Sequence, residues 1–252
     1  MRYWKFMLLS GGLILSTAVF AQNAIPAGTV VPVRLNTTFS SHDAPGKRIT
    51  ARIMQNVPLP DGTVIPEGAT VSGRVTSVSA GPNARFSFEF DALNVGNRAI
   101  PIRTDLRAMA SFMDLESAQD PLMGADRGTS ESAWTTVQIG GDVIYHGGSV
   151  REGHRSVGQP VYDGVLAPVY ENGECRGAIE GNDRPQALWL FSSSACGAYG
   201  FAHLRIAHAG RTEPLGKIEI ASTEGGVKIP SGTGMLLRVI GGGSGTAQTS
   251  RN

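Results

Sequence analysis

The residues able to do chemistry are few and widely spaced. Cys175 and Cys196 are the two cysteines. In an oxidising compartment an even pair is usually a disulfide, and closing that loop would stabilise the fold by roughly 3 kcal/mol on the chain-entropy model. A redox pair would have the Cys-x-x-Cys spacing, and two thiolates alone make a poor zinc site. A structural Cys175–Cys196 bridge is therefore expected. The histidines are His42, His146, His154, His203 and His208. His203 and His208 lie five apart, on opposite faces of a strand, and no pair has the helical His-x-x-x-His spacing of a zinc protease. There is no Gly-x-Ser-x-Gly elbow and no Ser-x-x-Lys motif. Gly241-Gly242-Gly243 follows no strand–helix pattern that could cradle a phosphate. Asp114 and Glu116 are neighbours in sequence, but a glycosidase needs two carboxylates facing across a cleft, and folding could supply such a pair from anywhere. No catalytic, cofactor-binding or metal-ligating residue is assigned.

Two features could serve binding. The polar segment Arg176 to Pro185 lies inside the expected disulfide loop and is tethered at both ends, as recognition loops often are. Trp134, Tyr145, Tyr162, Tyr170 and Tyr199 sit mostly in loop-like sequence and are the candidates for stacking on a ligand.

The start of the chain reads as a secretory leader over residues 1–21. Arg2 and Lys5 are basic, Met7 to Phe20 is mainly apolar, and Val19-Phe20-Ala21 offers small residues where a signal peptidase cuts. The apolar run is shorter than the ~20 residues of a spanning helix. No later segment is long and apolar enough to cross a bilayer. The expected location is the periplasm or the outside. The chain has 22 Lys+Arg and 21 Asp+Glu, so removing Arg2 and Lys5 leaves 20 against 21. A near-neutral product argues against a nucleic-acid partner, which demands a basic face.

The elements that would position any site are strands. One frame occurs three times: Ile25-Pro26-Ala27-Gly28, Ile65-Pro66-Glu67-Gly68 and Ile229-Pro230-Ser231-Gly232. Each is followed six residues on by Arg34, Arg74 or Arg238 and an aliphatic residue. The spacing predicts a type I turn with proline second and glycine fourth, feeding a strand. Pro32 inside the first strand argues for a sheet edge. The repeated arginines are read as a solvated strand face, with a binding row as the alternative. Arg85 to Leu93 alternates Phe86, Phe88, Phe90 and Ala92 with polar residues, which predicts a strand packing three rings into the core. Gly96-Asn97 then marks a turn and Ile100 to Leu106 a partner strand. Residues 107–135 break the rhythm and read as a flexible loop or insertion, with a short helix near Met109, Met113 and Leu115 ended by Asp120-Pro121. A strand is expected around Gly140-Gly141, and others over Gly200 to Ala209, Lys217 to Ala221 and Val227 to Ile240.

Residues 25–35 and 65–75, with the intervening strand and the Pro60-Asp61-Gly62 turn, resemble the TrbI-type conjugation proteins, β-barrel components of type IV secretion channels. The resemblance implies a β-domain that works in an envelope assembly. The chain departs from that family in having a cleavable leader in place of an inner-membrane anchor, and in lacking an amphipathic antenna helix. Residues 136–240, through Trp134 to Asp142 and the Cys-Arg-Gly-Ala-Ile stretch, resemble secreted bacterial proteins of no defined activity.

The expected fold is mainly β, an antiparallel barrel or sandwich, as one unit or two. Its parts are the leader 1–21, a β-domain 22–106, the insertion 107–135, a second β-rich part 136–240 holding the disulfide, and a disordered tail 241–252. The leading functional expectation is an exported, non-enzymatic envelope protein acting through contact with a protein partner. The alternative is a glycan- or small-ligand-binding module, and the third is a secreted hydrolase with a non-local site.

Overall fold

A computed structural model describes residues 24–119, 135–145, 148–173, 175, 184–207 and 216–241. The leader 1–21, residues 120–134 of the expected insertion, Trp134, His146, His208, residues 176–183 of the tethered segment and the tail beyond Gly241 lie outside those residues. The fold is mainly β, as expected. In chain order the first elements are β1 (Val30–Leu35), β2 (Phe39–Ser40), β3 (Arg48–Ile53), β4 (Val57–Pro58), β5 (Val64–Ile65), β6 (Thr70–Ser79), β7 (Arg85–Val95), β8 (Arg98–Pro101), β9 (Arg103–Ala110) and helix α1 (Phe112–Gln119). There follow β10 (Thr135–Val137), β11 (Val143–Tyr145), β12 (Ser149–Glu152), β13 (Arg155–Val161), β14 (Gly164–Ala167), β15 (Gln186–Ala187), β16 (Gly197–Tyr199), β17 (Leu204–Ala207), β18 (Ile218–Ser222), β19 (Lys228–Ile229) and β20 (Gly234–Gly241).

The large sheet runs β16-β9-β20-β1-β3-β6-β7-β18-β17, with β8 paired to β7. Its order is open, and the only parallel pair among the described strands is β16 with β9. The second sheet runs β10-β11-β12-β13-β14-β15, all antiparallel. The large sheet folds over, so that Phe86, Phe88 and Phe90 of β7 share one core with Val31 and Val33 of β1 and Met235 and Leu237 of β20. Phe39 stacks on Phe86 at 5.0 Å between ring centroids, and Phe88 meets Phe90 edge-on at 5.8 Å. Alternation along β7 therefore did predict its buried face. The opposite face of β1, β20 and β9 carries Val30, Leu236, Ala108 and Ala110 into a second core against the six-stranded sheet, Leu115 of α1 and Phe191. These three strands are buried on both faces, which is why their apolar residues run without clean alternation.

The repeated turn does more than start a strand. Gly28, Gly68 and Gly232 all have φ between 81° and 89°. Proline is first and glycine third, with the fourth residue's N–H donated to the proline carbonyl (Thr29, Ala69 and Thr233, 3.2–3.3 Å). This is the type II pattern, which needs a left-handed third residue, and it replaces the expected type I turn. Each turn then grips the end of a neighbouring strand through two bonds. Gly28 N–H donates to Val239 (2.8 Å) and Thr29 carbonyl accepts from Val239 N–H (2.8 Å). Gly232 and Thr233 treat Leu35 in the same way (2.8 and 2.9 Å), and Gly68 and Ala69 so treat Ile53 (2.9 and 2.8 Å). A fourth copy that the Ile-Pro frame does not reveal, Ala44-Pro45-Gly46-Lys47, holds Val75 (2.8 and 2.9 Å). The turns are reciprocal. The turn that opens β1 grips the end of β20, and the turn that opens β20 grips the end of β1. Between β3 and β6 the turn opening β6 grips the end of β3, while the turn opening β3 grips Val75 in the middle of β6.

Several local expectations are corrected. Pro32 lies mid-sheet, between β20 and β3. Its carbonyl still accepts Met54 N–H at 3.1 Å, one position beyond Val33↔Ile53, so the sheet forgoes only the bond of the missing N–H. The return strand after Gly96-Asn97 is two strands: β8 pairs β7, and β9 leaves to pair β20. Residues 107–110, placed at the start of a loop, end the buried β9. Helix α1 begins where Ser111 caps it: Ser111 Oγ accepts Asp114 N–H (3.2 Å) and donates to Asp114 Oδ2 (2.5 Å), while the Ser111 N–H goes to the Tyr199 carbonyl (3.0 Å). Gly140 and Gly141, both at positive φ, form the loop between β10 and β11 and no strand.

Two stability outcomes are expected. Gly68→Ala places no Cβ against any neighbour but forces alanine into a left-handed conformation, so it should lower unfolding free energy by about 1–2 kcal/mol in urea titration. Removing the disulfide by Cys175→Ala with Cys196→Ala should lower it by about 3 kcal/mol.

Candidate functional site

Cys175 and Cys196 are joined, as expected, and no described cysteine is free. The bridge closes over the second half of the chain and leaves no thiol for chemistry. His42, His154 and His203 are exposed and far apart in sequence, and His203 Nδ1 pairs with Glu224 at 3.0 Å. No group of three metal-ligating side chains occurs among the described residues. Asp114 caps α1, and Glu116 pairs with Arg34 at 3.4 Å. The repeated arginines form neither a row nor one solvated face. Arg34 is half-buried over the Phe112 ring (5.1 Å), and Arg74 is exposed and paired with Glu89 and Asp91. Arg238 is buried beside Asp105 at 3.4 Å. The reason is layer position: β6 has one solvent face, whereas β20 has none.

Around Arg238 lies a buried charged group. Arg107 occupies the β9 bulge, 1% exposed, and donates from Nη2 to the Tyr170 carbonyl. Burial pushes the Asp105 carboxyl up to about 7 against the pull of Arg238. Burial and Arg238 lower the Arg107 guanidinium to about 10. These side chains tie β9 to β20.

The cleft that does open lies between the end of α1 and the six-stranded sheet. It encloses about 520 Å³ and is lined by Gln119, Thr136, Ile144, Tyr162, Asp163 and Trp189, among others. Its floor is Trp189, the one described non-glycine residue with positive φ (52°). That backbone costs about 1–2 kcal/mol for a side-chain-bearing residue and is held by two buried glutamines. Gln55 Oε1 accepts Trp189 N–H at 2.5 Å, and Gln55 Nε2 donates to Val165 carbonyl at 2.9 Å. Gln138 Nε2 donates to the Phe191 carbonyl at 2.8 Å and, more weakly, to that of Trp189 at 3.4 Å. A Cβ on Gly164 would meet Trp189 Cα and Gln55 Oε1 at 2.6 Å, so the hairpin above is pressed onto this floor.

The rim is the β13–β14 hairpin tip, Tyr162-Asp163. Asp163 Oδ2 accepts Asn56 N–H at 2.7 Å, which pins the tip to the loop between β3 and β4. Tyr162 is left fully exposed at 105%. The other stacking candidates among the described residues are engaged. Arg151 covers the Tyr145 ring (5.3 Å), Arg155 covers Tyr170 (4.6 Å), and Tyr199 Oη accepts Cys196 N–H (3.1 Å). Of the aromatics named from sequence, Tyr162 is the one the fold presents at a cleft. Trp189, Gln55, Gln138 and Asp163 were not foreseen. Their one sequence signal is glutamine among apolar neighbours, which does not say what it will bond.

A second cavity of about 320 Å³ lies between the β4–β5 and β7–β8 hairpins. Ile25, Leu59, Val64, Ile65, Val95 and Ile100 line it, and Val64 is 53% exposed. No protein-family model matches the chain, and no curated protein matches it.

The raised Asp105 carboxyl has a pH consequence. In the folded state it holds its proton up to about pH 7, whereas the unfolded carboxyl releases it near the ordinary value of 3.8. Between those limits the folded state binds more protons, so this residue's contribution to stability falls as pH rises. In urea unfolding from pH 4 to pH 8, the stability of the wild type relative to Asp105→Asn should decline up to about pH 7 and then level off.

Proposed function

We propose that the protein is exported to the periplasm or beyond and acts by binding a small ligand in the cleft beneath Tyr162. The observation that supports this reading is the strained Trp189 backbone, fixed by Gln55 and Gln138 under a pinned, fully exposed aromatic. Strain held in place by surrounding hydrogen bonds concentrates at functional sites. The cleft volume falls in the roughly 300–1,000 Å³ of small-ligand sites. Export is supported by the leader-like residues 1–21 and by the disulfide. No described helix is long and apolar enough to cross a membrane.

A second reading, contact with a protein partner in an envelope assembly, is favoured by the apolar groove around Val64 and Ile100. It accords with the proposed kinship of residues 25–35 and 65–75 to TrbI-type proteins. Both readings are non-enzymatic.

The two are separated by paired variants. A fragment library screened by ligand-observed NMR should give hits that compete with one another and are lost in Tyr162→Ala. That variant should keep its stability within about 0.5 kcal/mol, because the ring is outside the core. Hits that survive Tyr162→Ala would overturn the cleft as the site. Capture of an envelope protein by the wild type, lost in Val64→Asp, would instead favour the contact reading.

A further inference from the structure

We infer that the ligand class of this cleft is a neutral saccharide, an inference that rests on the proposed function of the same site. The lining chemistry selects it. Among the described lining residues there is no lysine, arginine or histidine, so nothing neutralises a phosphate, sulfate or carboxylate ligand. An acyl chain would want a continuous apolar wall, yet Thr136, Gln119 and Asp163 interrupt this one. What remains is a ligand with apolar faces and many hydroxyls.

Each part of that ligand has a counterpart. Tyr162 offers a flat apolar ring with a wet hydroxyl tip, and two side-chain torsions make it cheap to order. Its exposure is not the looseness of a mobile loop. The adjacent Asp163 is bonded to Asn56, and Gly164 sits against Trp189 and Gln55. The ring is therefore presented by a tip held against the β3–β4 loop and Trp189. The axial and equatorial C–H groups of a pyranose present a surface that stacks on such a ring. Its hydroxyls have acceptors in Asp163 Oδ1, which is left over from the Asn56 bond, and in the Gln119 amide. The Thr136 hydroxyl can give or take a proton. The edge of Trp189, 6% exposed, closes the floor with an apolar surface. Tyr145 and Tyr170 do not extend the platform, since each already carries a guanidinium on its face.

The test uses the full mature chain and named probes. Cellobiose, maltose and N,N′-diacetylchitobiose are titrated separately by calorimetry and by tryptophan fluorescence, with phenol as an apolar, non-saccharide probe. Binding of at least one disaccharide is expected. Affinity should fall about tenfold in Tyr162→Ala and about fivefold in Thr136→Val. Co-sedimentation with insoluble cell-wall glycan distinguishes a polymer strand from a soluble sugar as the source, and binding to either supports the inference. If phenol alone binds, and binding is lost in Tyr162→Ala, the saccharide class is overturned while the cleft stands as a ligand site. If neither kind of probe binds, both the class and the small-ligand reading fail. Disaccharide binding unchanged in Tyr162→Ala also overturns the inference, because the sugar then sits elsewhere.

Discussion

The pairing of β1 with β20 is the constraint on which the rest of the molecule depends. Val30↔Arg238 through Arg34↔Gly234 is a short ladder, but both of its faces are core. One face seals the phenylalanine cluster, and the other seats the six-stranded sheet. The ladder is locked at both ends by turns, the one opening β1 gripping Val239 near the end of β20 and the one opening β20 gripping Leu35, the last residue of β1. A slip of one residue would reverse every side chain between two different cores, so the register has no neutral alternative. Positive φ at Gly28 and Gly232 makes those grips geometrically possible, which gives the recurring glycine a physical reason.

Polar side chains join the layers where apolar packing alone could not fix their relation. Gln186 Oε1 accepts Val30 N–H at 3.1 Å, binding β15 to the first strand of the large sheet. Gln55 spans from the end of β3 to Val165 and Trp189. Each such bond is worth only about 1 kcal/mol net, but leaving the same backbone group unpaired would cost more. The cleft inherits its shape from this arrangement. Its floor is strained because a glutamine from the other sheet accepts the Trp189 amide, and its rim is fixed because Asp163 reaches back to Asn56. The candidate site is thus a product of the junction between sheets.

Local pattern in the sequence carried some of this and not the rest. The Phe86-Phe88-Phe90 alternation announced a one-sided strand, and an even pair of cysteines announced a bridge. The Ile-Pro-x-Gly frame announced strand starts, though its turn type and its grip on a neighbour depend on a partner up to about two hundred residues away. Strands β12 and β13 hid in a Gly-, Arg- and Ser-rich stretch because much of their surface is exposed, so no apolar period marks them. The buried Arg238 looked like its exposed counterpart Arg74, since nothing local says that β20 is covered on both sides. Tyr162 could be named as a stacking candidate but not ranked above four others. That choice is made by Arg151, Arg155 and Cys196, which engage three of its rivals.

The adjacency of the first and last long strands sets an order of events in synthesis. A ribosome delivers Arg238 about two hundred residues after Val30, its partner in the ladder. Until that final strand emerges, β1 has no neighbour on one side, and neither hydrophobic interior can be sealed. A growing chain of this design stays open over the residues between those two strands, and then closes by inserting β20 between β9 and β1. Contacts of such large sequence separation make folding slow compared with local hairpins.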